Sequence, residues 1–170
     1  VTASLPFATL FDTYYPKLYA YIRSQVADQP TAEDLTAATF ERAFSHSHQF
    51  DPQKGSFAIW LFRIGRNLVI NHYAATSRKP LHYDLDEVIS VAGGPSPEQR
   101  LLHQEQQRLL TETLATLPER DQEIIQLRFY GRLTNRDIAE VLELNEKTVS
   151  VIILRALQKL RARLEPQETA

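Results

Sequence analysis

Sixteen residues constrain this chain more than any others: Thr134-Asn135-Arg136-Asp137-Ile138-Ala139-Glu140-Val141-Leu142-Glu143-Leu144-Asn145-Glu146-Lys147-Thr148-Val149. Their pattern is that of two short helices crossing through a tight turn. Ala139 supplies the small residue that such a crossing needs. Ile138, Leu142, Leu144 and Val149 are apolar where the two helices must share a core. Asn145 is placed to open the second helix as its N-cap, because its side-chain oxygen can accept a first-turn amide. In a DNA-binding helix-turn-helix the second helix enters the major groove N-terminus first. An ordinary helical hairpin has a similar local composition, so the rest of the chain decides between the two readings.

A length of 170 residues allows one domain or two small ones. No run of about 18 apolar residues is present, so no membrane insertion is expected. No secretory signal pattern opens the chain. The absence of cysteine excludes disulfides and thiolate metal sites and fits a cytoplasmic location. The formal net charge is −2, but it is unevenly spread. Residues 1–80 carry eight Lys/Arg against six Asp/Glu, residues 81–100 one against four, and residues 101–170 ten against eleven. This is not the strongly basic signature of a protein that coats DNA non-specifically. Any nucleic-acid binding must rest on local patches or on a larger partner that supplies affinity.

Helical periodicity runs through the chain, and the expected fold is all-α, with no convincing strand. Phe7, Leu10, Phe11, Tyr14, Tyr15, Leu18, Tyr19 and Ile22 form a stripe at three- and four-residue spacing. Pro16 falls inside it, so the helix is expected to bend or restart there. Thr31 with Asp34 three residues on marks a second start. Phe50 to Ser56 is turn chemistry, and residues 57–73 are again helical. Pro80, the acidic run Asp84-Leu85-Asp86-Glu87, Gly93-Gly94 and Pro95 read as a tether. Ser96-Pro97-Glu98-Gln99 restarts a helix with a capping box, and Thr116-Leu117-Pro118-Glu119 looks like a second such start. Gly131 is placed to end the helix that follows. The expected organisation is therefore two small helical domains, 1–79 and 97–170, joined by an acidic linker over 80–96.

Taken together, the two halves resemble the extracytoplasmic-function (ECF) sigma factors of bacterial RNA polymerase, in the sigma-70 family. Region two of that family is resembled by Ala32-Glu33-Asp34-Leu35, by Thr39-Phe40-Glu41-Arg42-Ala43-Phe44, and by Gly55-Ser56-Phe57 leading into Trp60-Leu61-Phe62-Arg63-Ile64 and Arg66-Asn67. Region four is resembled by Leu117-Pro118-Glu119-Arg120-Asp121, Leu127-Arg128-Phe129-Tyr130, Asp137-Ile138-Ala139 and Thr148-Val149, with Arg155-Ala156 and Lys159-Leu160-Arg161 as the tail. The ordered pair, separated by a short linker, covers roughly residues 7–165. The resemblance implies a protein that binds core RNA polymerase and promoter DNA, recognises the −35 and −10 elements and opens the duplex. It also implies an anti-sigma factor as a further partner.

Residue by residue, the resemblance places Asp34, Leu35, Phe40 and Arg42 on the helix that meets polymerase. Leu35 and Phe40 are equally well read as core, and Asp34 as a cap. Ala37 and Ala38 stand where the family usually has Gln and an acidic residue, which removes polar groups from that face. Residues 49–57 match the loop that captures an unstacked base. There Gln49, Gln53 and Lys54 would give polar contacts, and Phe50 a ring face, unless Phe50 and Phe57 simply anchor the loop. Trp60 matches the element beside the point of strand separation, where stacking is worth roughly 1–3 kcal/mol per base, or it is core. Arg63, Arg66, Asn67 and Asn71 would meet phosphates and base edges, while Ala74 lacks a cation common in the family.

In the second half, Arg136, Asn145, Glu146, Lys147, Thr148, Ser150, Val151, Arg155 and Lys159 would meet DNA, a solvated helical face being the alternative for the cations. Val149, Ile153, Ala156 and Leu160 form the core stripe. The family commonly has Lys, Ser and Arg where this chain has Ser150, Val151 and Ile152. Thymine methyls, read by apolar contact, are one use for such a helix, and a partner protein covering it is another. The isolated second domain is therefore expected to bind DNA weakly.

No nucleophile–base pair, Gly-rich phosphate loop or paired-carboxylate motif is present, and His72 and His103 are scattered, so no enzyme activity and no cofactor are expected. His46 and His48 alternate without further ligands, so no metal is expected. Two alternatives remain at this level: a stand-alone helix-turn-helix regulator, and a degenerate sigma-like interaction protein.

Overall fold

The computed structural model describes residues 6–75 and 96–165. Among the described residues are seven α-helices and no strand. Helix α1 spans Phe7–Arg23 and runs through Pro16 without restarting. Leu18, Tyr21 and Ile22 beyond the proline are fully buried, and this packing holds the second half in line despite the lost amide. Helix α2 spans Gln29–Ser45. Its cap is Asp28 rather than Thr31: the Asp28 carboxylate accepts the Thr31 N–H at 2.9 Å and the Thr31 hydroxyl at 3.0 Å. Pro30 sits in the first turn, where its missing N–H costs nothing. A single 3-10 turn over Ser47–Gln49 leads to the loop. Helix α3, Phe57–Ala74, is capped by Ser56, which accepts the Ile59 N–H.

Helix α4, Pro97–Ala115, opens with the expected capping box between Ser96 and Gln99. Helix α5 spans Glu119–Phe129, and its N-cap is Pro118, with no side-chain cap bond. Thr116 instead closes α4, its hydroxyl donating to the Thr113 carbonyl. Glu119 is therefore the first residue of α5, two positions too early to close a box. Helices α6, Asn135–Leu142, and α7, Glu146–Leu164, form the helix-turn-helix.

Helices α1, α2 and α3 pack against one another, and α4, α5 and α6 against α7. Gly65 permits the close crossing of α3 on α1 and α2, since a Cβ there would come within 2.9 Å of Leu18 and 3.5 Å of Thr39. Helix α3 also packs on α6, so the two modules touch along one side of α3. Gly131 does follow α5, but the left-handed residue is Arg132, at φ 53°. Space is what requires glycine at 131, because a Cβ would lie 2.7 Å from the Leu127 carbonyl oxygen and 2.9 Å from the Phe62 ring. The expected tether over 80–96 falls outside the described residues except for Ser96, the cap of α4. No helix among the described residues is long and apolar enough to cross a membrane.

Candidate nucleic-acid interface

The helix-turn-helix is assembled by three local devices. Thr134 caps α6 through the Asp137 N–H, and Asn145 caps α7 through the Lys147 N–H at 2.8 Å. Between them Glu143 adopts a left-handed conformation, φ 56°, and the N–H groups of Glu143 and Leu144 both return to the Ala139 carbonyl. Ile138 and Val149 are fully buried, Ala139 nearly so, and Leu142 and Leu144 half-buried. Helix α7 is thus held against α6 by the two caps, the turn between them and the shared core.

On that helix Asn145, Glu146, Lys147, Thr148, Ser150, Val151, Arg155 and Lys159 are exposed, as is Arg136 on α6. Val149, Ile153 and Ala156 are buried, as the stripe predicts, and Leu160 is half-buried. Ile152 is buried too, so the apolar residue that replaces a family cation there belongs to the core rather than to the outer face. Ser150 is bonded on both sides: its hydroxyl donates to the Glu146 carbonyl at 3.0 Å and accepts the Asn135 amide at 3.1 Å. That links α6 to α7 and leaves the hydroxyl little capacity for DNA. Val151 and Leu154 stand outward one turn apart and form an exposed apolar ledge. Arg136 approaches Glu140 at 3.6 Å from a highly exposed position, a pairing that contributes little.

In the first module, Asp34 and Arg42 are exposed on α2, Leu35 is half-buried and Phe40 is only 3% exposed. Phe40 lies in an aromatic cluster with Phe11 at 4.9 Å and Tyr15 at 6.1 Å between centroids. Its place is therefore in the core, backing the face that Asp34 and Arg42 present. Ala37 is exposed and Ala38 half-buried on the same helix.

The loop before α3 carries Gln49, Gln53 and Lys54 in solvent. Asp51 shapes it by accepting the Gln53 N–H at 2.9 Å. Phe50, Phe57 and Trp60 form a three-ring cluster, 5.3 to 5.8 Å between centroids, and all three rings are half-buried. Each ring keeps some exposed surface while its partners fix its position. Asn67 and Asn71 point outward from α3.

Arg66 and Arg63 differ from the rest. The Arg66 guanidinium forms a two-point pair with Glu123 of α5, Nε to Oε1 at 2.7 Å and Nη2 to Oε2 at 3.2 Å. Burial works against the Arg66 charge, but the hydrogen bond and charge of Glu123 outweigh it and raise its pKa above the usual range. The Tyr21 hydroxyl donates to the same Glu123 oxygen at 3.1 Å. Burial, then the Glu123 charge, pushes the Tyr21 phenol well above its ordinary pKa of 10.0. Beside this cluster the Gln126 amide donates to the Ser24 carbonyl at 3.1 Å, and Arg63 donates to the Glu140 carbonyl of α6. A cleft of 310 Å³, lined by Arg66, Glu119, Arg120, Glu123, Leu142 and Leu144, opens next to the pair.

Sequence reasoning gave no role to Tyr21, Ser24, Glu123, Gln126 or Glu140. The available signal was polar residues at Gln122, Glu123 and Gln126, on buried positions of α5. His46 and His48 stack at 6.3 Å, and no group of three or more metal-ligating side chains occurs among the described residues.

Comparison with known proteins matches residues 10–79 to Sigma-70 region 2 and residues 113–162 to Sigma-70, region 4. The chain is 34% identical over 163 residues to the ECF RNA polymerase sigma factor BldN of Streptomyces coelicolor, covering 95% of this chain and 61% of that protein. It therefore spans about three-fifths of the length of that relative. It is 31% identical to the ECF RNA polymerase sigma factor RpoE of Cereibacter sphaeroides, covering 91% of this chain and 84% of the other. Among solved structures, CnrH in complex with the cytosolic domain of CnrY superposes with a TM-score of 0.63 at 26% identity, over 95% of this chain and 88% of CnrH.

Proposed function

The chain belongs to the ECF sigma factors of the sigma-70 family, and we propose that it binds core RNA polymerase and directs promoter-specific initiation as a non-catalytic cytoplasmic subunit. One observation supports this reading above the others: a rigid helix-turn-helix with an exposed recognition face shares one chain with a second module. That module presents an aromatic-backed loop and a cation-bearing helix, α3.

In this proposal α2 meets polymerase through Asp34, Arg42 and the exposed part of Leu35, with Phe40 as rigid support. Residues 49–57 take up a flipped base of the −10 element, and Trp60 with Phe50 offers a ring face to it. Arg63, Arg66, Asn67 and Asn71 hold the adjoining strand through phosphates and base edges. Helix α7 enters the major groove of the −35 element from Asn145, with Lys147, Arg155 and Lys159 on phosphates and Val151 against thymine methyls. The relative CnrH is solved with a protein partner, the cytosolic domain of CnrY. An anti-sigma partner that covers the exposed apolar residues of this chain belongs to the same proposal.

The test is run-off transcription with purified core polymerase on a genomic library of upstream fragments, with and without the protein. Discrete new start sites, with two shared upstream elements, are the expected result. Neither transcripts nor polymerase binding would overturn the proposal in favour of a stand-alone regulator. Polymerase binding without transcripts would point to a degenerate interaction protein.

A further inference from the structure

We propose that Glu123 is a built-in phosphate mimic: in the free chain it occupies the guanidinium of Arg66 and keeps the α3 face closed against the second module until DNA phosphate replaces it. The inference rests on the reading of Arg66 as a DNA contact. A guanidinium presents the same two-donor fork to a carboxylate and to a phosphate, and both Glu123 oxygens lie on that fork, at 2.7 and 3.2 Å. Tyr21 fixes the carboxylate from behind, so Glu123 is held in register with Arg66. On the other edge of α3, Arg63 is taken by the Glu140 carbonyl. Two of the α3 cations thus bond to the second module in the closed chain.

The closed contact is built to part. Ser24, Glu123 and Gln126, which take part in bonds between the modules, are all buried and all polar. Beside the apolar contact of Phe62 with Gly131, these polar groups can be rehydrated once the two modules separate. Arg66 itself keeps 31% of its side-chain surface exposed beside the open cleft, so an incoming phosphate can reach it before Glu123 leaves.

The chain has no cysteine, so Ser45→Cys and Gln106→Cys on exposed helical positions of the two modules accept a single donor–acceptor dye pair. The experiment reads the dye distance in the free full-length chain. It also reads the chain's affinity, without polymerase, for a labelled oligonucleotide carrying the downstream element found by run-off transcription. E123Q is expected to lengthen the distance and to tighten DNA binding about tenfold, as expected when a minor competent state becomes dominant. R66Q is expected to lengthen the distance equally without the gain in affinity. Tyr21→Phe removes one support of the same carboxylate without altering α5. It is expected to move both readouts as E123Q does, by less, and it serves if E123Q loses helical circular dichroism.

An unchanged distance and affinity in E123Q and Tyr21→Phe overturns the proposal, as does opening without any gain in affinity. R66Q binding DNA as tightly as E123Q, with unchanged transcription by the R66Q holoenzyme, overturns instead the assignment of Arg66 to DNA and the mimicry with it.

Discussion

On α7 the side chains assigned to DNA stand in solvent around a rigid turn, whereas on α3 two of the assigned cations are bonded to the opposite module. The difference lies in what surrounds each helix. Helix α7 spends its apolar face on Val149, Ile152, Ile153 and Ala156 within its own module and presents the remainder outward. Helix α3 is buried on two sides: Leu61 and Val69 are in the core, while Phe62 and Arg66 reach α5 and the turn that follows it. A surface read through a preformed helix-turn-helix is available at once. A surface whose cations are bonded to a neighbour must, on the proposal above, exchange that neighbour for its ligand.

The sharpest way to break this comparison is Phe62→Ala. Phe62 is fully buried between Tyr21, 5.6 Å away, and Gly131, so its loss is expected to cost about 3–5 kcal/mol in urea denaturation. The recognition helix should be unaffected in its local protection from hydrogen exchange.

Arg66→Gln comes next. Removing one partner of a buried ion pair costs about 3–5 kcal/mol, and the partial exposure of Arg66 reduces this to about 1–2 kcal/mol. Urea midpoints measured at low and high salt check it, and the loss should shrink as salt rises.

The third effect is alkaline. The Tyr21 phenol has a raised folded-state pKa, so its contribution to stability is complete below pH 10.0 and is lost as pH climbs from there toward the folded value. Ionised Tyr21 faces the Glu123 carboxylate, which Arg66 only partly offsets, so the modules should part above pH 10.0. Tyr21→Phe should flatten that part of the stability profile and cost about 1 kcal/mol at neutral pH through the lost hydrogen bond.

The smallest effect belongs to α7. Val151→Lys adds a cation to an exposed position and should steepen the salt dependence of DNA binding by about one, with folding stability unchanged. Titration at three salt concentrations measures it.

The sequence made the helices legible wherever a cap or a periodic stripe was strong. The capping box at Ser96 and Gln99, the cap at Asn145 and the core stripe from Val149 to Ala156 are local features with local causes. Two helix starts shifted because proline changed the bookkeeping: Pro30 lets α2 begin behind Asp28, and Pro118 moves Glu119 into the first helical position. The core stripe left out Ile152 because the burial arc of α7 is wider than one stripe. The grip of Glu123 on Arg66 had no periodic signature at all. Partners 57 residues apart leave no spacing rule to follow, and a lone Glu between Gln122 and Ile124 reads like any solvated carboxylate.

The bonds from Tyr21 to Glu123 and from Gln126 to Ser24 each span 102 residues. All the contacts among α1, α2 and α3 are complete by residue 74. A ribosome adding about 5–20 residues per second therefore needs roughly 3–10 seconds after completing α3 at residue 74 before Gln126 exists to meet Ser24. During that interval the nascent chain carries its first module with Arg63 and Arg66 uncovered. On the proposal above, a polymerase or nucleic acid that meets the protein while it is still being made encounters cations that the finished molecule has bonded across its modules.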